Sequence, residues 1–141
     1  MVRDELSLVS LASLFLEHLP QLEAALKGAE FALLFGSAAS GRLRRDSDVD
    51  LAVRYPSPLD ATSWLRLTGE LSEILRRPVD LLDLHRAGPI VAMQVLRTGV
   101  PLLVNHRQAF EQFLMYTPSL YFDFKRTRRP IEQALRGEAR P

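Results

Sequence analysis

The chain has no cysteine at all. That absence excludes disulfide staples and thiolate zinc sites, so any metal must be held by oxygen or imidazole, and it suits a reducing compartment. An excess of one charge is also missing: 18 Lys and Arg against 17 Asp and Glu leave a formal net charge of +1. No global field calls for a nucleic acid or a membrane surface as partner, so direct nucleic-acid binding is not expected. Apolar stretches are broken by charge well short of the ~18 residues of a membrane span, and the opening MVRDELSLVS lacks the apolar block and cleavage site of a secretory leader. The expected location is the cytoplasm. What is present, 141 residues that are 47% hydrophobic and 25% charged, is enough for one domain around a single core.

Apolar residues from Leu6 to Leu26 recur at helical spacings, with Pro20 splitting the run into two helices and Gly28 stopping it. Phe31 to Phe35 and Val49 to Arg54 are short, apolar and bounded by turn residues, which predicts two strands. Ser57 as N-cap, Pro58 at the first helical position and Asp60 in the first turn predict a helix carrying Leu67, Leu71, Ile74 and Leu75, ended by Pro78. A third strand is expected at VDLLDL, Val79 to Leu84; a helix follows from Pro89 to Gly99, then a short strand, PLLVN. His106 to Arg136 reads as mostly helical, with Pro118 marking a kink and Pro130 a restart. Strands alternating with helices predict an α/β fold: a small sheet with helices mainly on one face, a helical C-terminal extension, and the other face open for chemistry. The expected division is N-terminal helices over 1–28, a catalytic α/β core over 30–104 and C-terminal helices over 105–141.

Between the first two strands lies Gly36-Ser-Ala-Ala-Ser-Gly41. Two glycines bracketing four residues after a strand suggest a P-loop, but Arg42 and Leu43 stand where that motif needs Lys for the phosphates and Ser or Thr for magnesium. The metal must come from elsewhere. Side chains alternate along a strand, so Asp48 and Asp50 share one face while Val49, Leu51 and Val53 take the other. Paired carboxylates repel, and a hard divalent cation completed by substrate phosphates relieves them. Backbone N–H groups of Gly36 and Ser37, with the Ser37 hydroxyl, are placed to cradle a phosphate. Asp80, on the third strand, completes the cluster if that strand neighbours the second; Asp83, three residues on, faces the opposite way. Three carboxylates on two adjacent strands are what a two-metal phosphoryl or nucleotidyl transfer needs.

Gly36-Ser37, ten residues, then Asp48-x-Asp50, with an apolar-flanked Asp80 on a later strand, resembles the signature of the DNA polymerase beta nucleotidyltransferase superfamily. The chain is most similar in size to its minimal branch, the MNT antitoxins encoded beside HEPN ribonuclease toxins. The resemblance implies the nucleotidyltransferase fold, with a small mixed sheet, and transfer of AMP from ATP to a tyrosine hydroxyl of the partner toxin in a possible hetero-oligomer. It implies Asp48 and Asp50 as magnesium ligands, two ions in all, and Asp80 as a further metal ligand or proton acceptor. Gly36 and Ser37 match the family's nucleotide-binding pair; Ser40 departs from it, standing where many relatives carry a triphosphate-contacting Arg, and Arg42, Arg44 or Arg45 is the substitute, so that Ser40 and Arg42 join the candidate nucleotide contacts. Two other functions stay open: an antitoxin that neutralises its toxin by stoichiometric binding, and an adenylyltransferase of a small hydroxylated molecule such as an antibiotic. An open site with only ~60 residues after Asp80 argues against the latter.

The histidines His18, His85 and His106 lack metal-ligand spacing and read as surface or capping residues. Lys125 to Arg129 holds four basic residues and no acid. The plainer reading is a solvated helix face; the alternative is a docking surface for an acidic partner.

Overall fold

The computed structural model describes residues 15–36 and 48–137. The part of the first helical expectation that covers residues 6–14, and the expectations at Ser37, Ser40, Arg42, Arg44 and Arg45, lie outside these. Helix α1 covers Leu19–Ala25 with Pro20 in its first turn, where a missing N–H costs nothing. Strands β1 (Phe31–Phe35) and β2 (Val49–Arg54) pair antiparallel, with Phe35 opposite Asp50. Helix α2 (Ala61–Leu75) then carries the chain to β3 (Val79–Asp83), which pairs parallel with β2. A parallel neighbour needs such a crossover. Helix α3 (Pro89–Thr98) leads to β4 (Val100–Val104), antiparallel to β1 on the far edge, so the order is β3-β2-β1-β4. Helix α4 (Arg107–Leu135) closes the described chain.

Alternation along the strands divides the core. Ala32, Leu34, Val49, Leu51, Val53, Val79 and Leu81 pack with Leu22, Leu26, Leu67, Leu71 and Leu75 of the segment containing α1 and of α2. Phe31, Leu33 and Ala52 face the other way, onto Val95 of α3 and Phe113 of α4. Helices therefore sit on both faces over β1, and the open face expected from the sequence survives only at the β2–β3 end, where the side chains are carboxylates rather than apolar. Phe31 is fully buried, with its ring 5.1 Å from Phe110 and 5.3 Å from Phe113. Phe31→Ala should destabilise the fold by about 3–5 kcal/mol in urea unfolding, because helix and sheet cannot close over the lost ring.

Two expectations are corrected. The N-cap of α2 is Asp60, not Ser57: its carboxylate accepts the Ser63 N–H at 2.7 Å, while the Leu59 N–H is taken by Asp83 at 2.8 Å. Residues 56–59 thus run as a strap to the β3 edge, and Pro58 precedes the cap. Nor do Pro118 and Pro130 break the last helix, which runs for 29 residues through both. Phe113 and Thr117 hold the turns before Pro118 in the body, and the Arg128–Glu132 ion pair, Nε to Oε1 3.2 Å, spans Pro130. Two histidines serve as fasteners: His106 Nδ1 accepts the Ala109 N–H to cap α4, and His85 Nε2 meets the Tyr55 carbonyl at 2.6 Å. No helix among the described residues is long and apolar enough to cross a membrane.

Candidate active site

The parallel register of β2 and β3 sets Asp50 directly beside Asp80. Adjacent strands lie about 4.8 Å apart, so the two side chains leave the same face as neighbours. Asp48 sits two residues before Asp50, just ahead of β2, and falls on that face too. Asp48 and Asp80 are exposed and Asp50 is half-buried. Behind them Val49, Leu51, Val79 and Leu81 point into the core, so the ledge that carries the charges is anchored by buried aliphatics. Asp83 is excluded from the cluster as alternation requires. It is buried at 4% exposure, accepts the N–H groups of Leu59 and His85 at 2.8 and 3.0 Å, and lies 3.8 Å from Arg86 Nε.

Gly36 explains how the loop meets this ledge. It follows Phe35, the register partner of Asp50, with φ +64°, and a Cβ there would stand 3.2 Å from Asp50 Cγ and closer still to Oδ2. Both the conformation and the clearance require glycine. The first residue of the loop is thus pressed against the second aspartate of the motif. Ser37, Ser40 and Arg42 follow outside the described residues.

Burial, then the charges of Asp80 and Asp48, push the Asp50 carboxyl above its ordinary range. A raised folded-state pKa means that the folded chain holds a proton the unfolded chain has released. Stability is then greatest below the ordinary carboxylate value and falls as pH rises through the raised one. Without divalent cations, the melting temperature should therefore drop as pH climbs through that interval. Magnesium should restore it at neutral pH, and Asp50→Asn should remove both responses in a calorimetric scan.

Among the described residues no three acidic or histidine side chains close into a ready-made metal cage. Like charges without a counter-ion splay apart, and hard oxygen ligands on one open ledge fit a magnesium-type ion that keeps waters and takes the rest of its shell from a phosphate. Two large cavities lie elsewhere. One, about 500 Å³, opens at the β3 edge between Leu59, Trp64, Leu82 and Arg86, where Trp64 Nε1 donates to the Leu81 carbonyl at 2.9 Å. The other, about 550 Å³, lies at the opposite end of the sheet beside Arg54 and His106. Asp48 and Asp80 are exposed, so the described part of the ledge is accessible to a bulky acceptor. The sequence reading gave Trp64 no role, although it is the chain's single tryptophan.

The chain is also similar in sequence and fold to known proteins. The chain is 35% identical over 98 residues, 70% of each chain, to the protein adenylyltransferase MntA of Shewanella oneidensis. It superposes with a TM-score of 0.73 and 29% identity on a chain of a toxin–antitoxin complex solved with AMP-PNP, covering 82% of this chain and 96% of that one. A complex of tri-AMPylated Shewanella oneidensis HEPN toxin with MNT antitoxin gives a TM-score of 0.71 at 26% identity, covering 89% and 98%. Residues 20–108 match the model of the polymerase beta nucleotidyltransferase family, and to that family the chain belongs.

Proposed function

We propose that this chain is an MNT antitoxin that acts as a protein adenylyltransferase, moving AMP from ATP to a tyrosine hydroxyl of a HEPN ribonuclease toxin in the cytosol. The observation that carries the reading is the side-by-side register of Asp50 and Asp80, with Asp48 on the same face and Gly36 packed against Asp50. Asp48 and Asp50 would hold magnesium, with Asp80 as a further ligand, and the metal's contribution is to offset phosphate charge and sharpen the acceptor oxygen. In this reading Ser37, Ser40 and Arg42, which follow Gly36 in the sequence, contact the triphosphate. The tyrosine oxygen attacks the α-phosphorus, the bond from that phosphorus to the bridging oxygen breaks, and pyrophosphate leaves. If Asp80 does not serve as that further ligand, its role in this reading is to take the hydroxyl proton. The 30–104 segment forms the catalytic core in this reading.

Incubation with α-labelled ATP, magnesium and the toxin encoded beside it should label toxin tyrosine. Label on a small hydroxylated compound in place of the toxin would refute the assignment. A chain carrying Asp48→Ala and Asp50→Ala that transfers nothing yet still neutralises the toxin would make contact alone the mechanism of silencing.

A further inference from the structure

Arg97 of α3 lies over the Tyr121 ring at 5.2 Å, and beyond that turn no ion pair, side-chain hydrogen bond or ring contact seen among the described residues ties α4 to another element. Phe113, Thr117, Leu120, Phe124, Ile131 and Leu135 are separated by three, four or seven residues, which puts them on one side of the helix. Phe113 and Thr117 are buried against the sheet, but Leu120, Ile131 and Leu135 are 60%, 61% and 83% exposed. The seam that begins in the core thus runs on for about 27 Å, at 1.5 Å per residue, with Leu120, Ile131 and Leu135 exposed and Phe124 half-buried, the Arg128 guanidinium 5.5 Å from its ring centroid. Beside it stand Lys125, Arg129 and Arg136, around a shallow recess with Glu132 and Gln133. Arg126 and Arg128 are paired with Asp123 at 2.9 Å and Glu132 at 3.2 Å, whereas Lys125, Arg129 and Arg136 form no ion pair among the described residues.

A projecting helix gains nothing from showing isoleucine and leucine to water, and a seam of this spacing fits a second helix laid along it. A second copy of this chain would bring two rows of unpaired cations together, so the occupant that fits carries acid. Two solved relatives, matched over 96% and 98% of their chains, come from a toxin–antitoxin complex and from a complex of HEPN toxin with MNT antitoxin. We propose that residues 118–135 of α4 are the face on which the toxin docks, by an acidic amphipathic helix. Leu120, Phe124, Ile131 and Leu135 seat its apolar side, and Lys125 and Arg129 meet its carboxylates. Only the identity of the partner rests on the functional reading above. Docking here holds the toxin by a surface remote from the carboxylate ledge, so binding and transfer are separable.

The test is titration calorimetry of the full chain with its toxin. Leu120→Ser with Ile131→Ser should weaken the complex about thirtyfold or more. Lys125→Glu with Arg129→Glu should weaken it about tenfold and flatten its dependence on salt. All four side chains lie outside the core, so the melting temperature should not move. Wild-type affinity in both variants overturns the docking surface while leaving AMP transfer by the wild-type chain intact. Docking lost in both variants, with no tyrosine labelled by the wild type, keeps the surface and removes the enzymatic reading instead. Self-association of this chain that the serine variant abolishes would overturn the choice of partner.

Discussion

Adenylyl transfer by a chain carrying Asp48→Asn and Asp50→Asn falls by about a thousandfold or more, while the same protein melts at a higher temperature than the wild type. The loss follows from charge: asparagine keeps the size of the side chain but not the anionic oxygens that a hard cation selects, and metal stabilisation of a phosphoryl transition state is worth several kcal/mol, about a decade in rate for each 1.4. The gain in stability follows from the same charge. Burial and the neighbouring carboxylates already push Asp50 towards its neutral form, so removing two of the three charges relieves a repulsion that the empty fold carries. Pyrophosphate release and a calorimetric scan on one preparation read both effects. A double variant that transfers AMP at the wild-type rate would remove these residues from the metal site. One that is both inactive and less stable would show that the carboxylates hold the fold rather than the cation.

A side chain at position 36 should be almost as damaging to transfer. Gly36→Ala places a methyl group against the Asp50 carboxylate and forces a non-glycine residue to φ +64°, a conformation costing roughly 1–2 kcal/mol. The strand is fixed by its register with β1, so either the carboxylate or the loop must yield. A displacement of about 1 Å in a positioning element can cost a hundredfold, and kcat/KM for ATP should fall by about that factor. Gly69→Ala is the control. Gly69 lies within α2 with nothing near its missing Cβ, so alanine there should add about 0.5–1 kcal/mol of stability and leave the kinetics alone. Equal kinetics for the two glycine variants would sink the contact between loop and ledge.

The site was more legible in the sequence than the frame around it. Alternation along a strand is rigid, so Asp48 and Asp50 on one face, and Asp80 rather than Asp83 beside them, followed from parity once β3 was taken as the neighbour of β2. The helix boundaries were less legible because they depend on distant partners. Asp60 displaces Ser57 as the cap only because Asp83, 24 residues away, takes the Leu59 N–H. The long run of α4 through two prolines was hidden for a similar reason: the pattern around each proline does not show that Phe113 and Thr117 anchor the turns before the first or that the Arg128–Glu132 pair spans the second. Helices on both faces of β1 could not be read from periodicity, since Phe31 and Leu33 alternate with Ala32 and Leu34 and both sets are apolar. Such a strand is sandwiched, but its pattern does not say by what.

On the proposed assignment, the five residues of β3 keep rate and folding in separate hands. Asp80 looks out onto the ledge, and Asp83 turns inward to clasp the strap that leads into α2. Errors at one position would yield a well-folded, silent protein, and errors at the other a competent but fragile one. Heritable variation in this pentapeptide should sort into dead and heat-sensitive classes, with few intermediates.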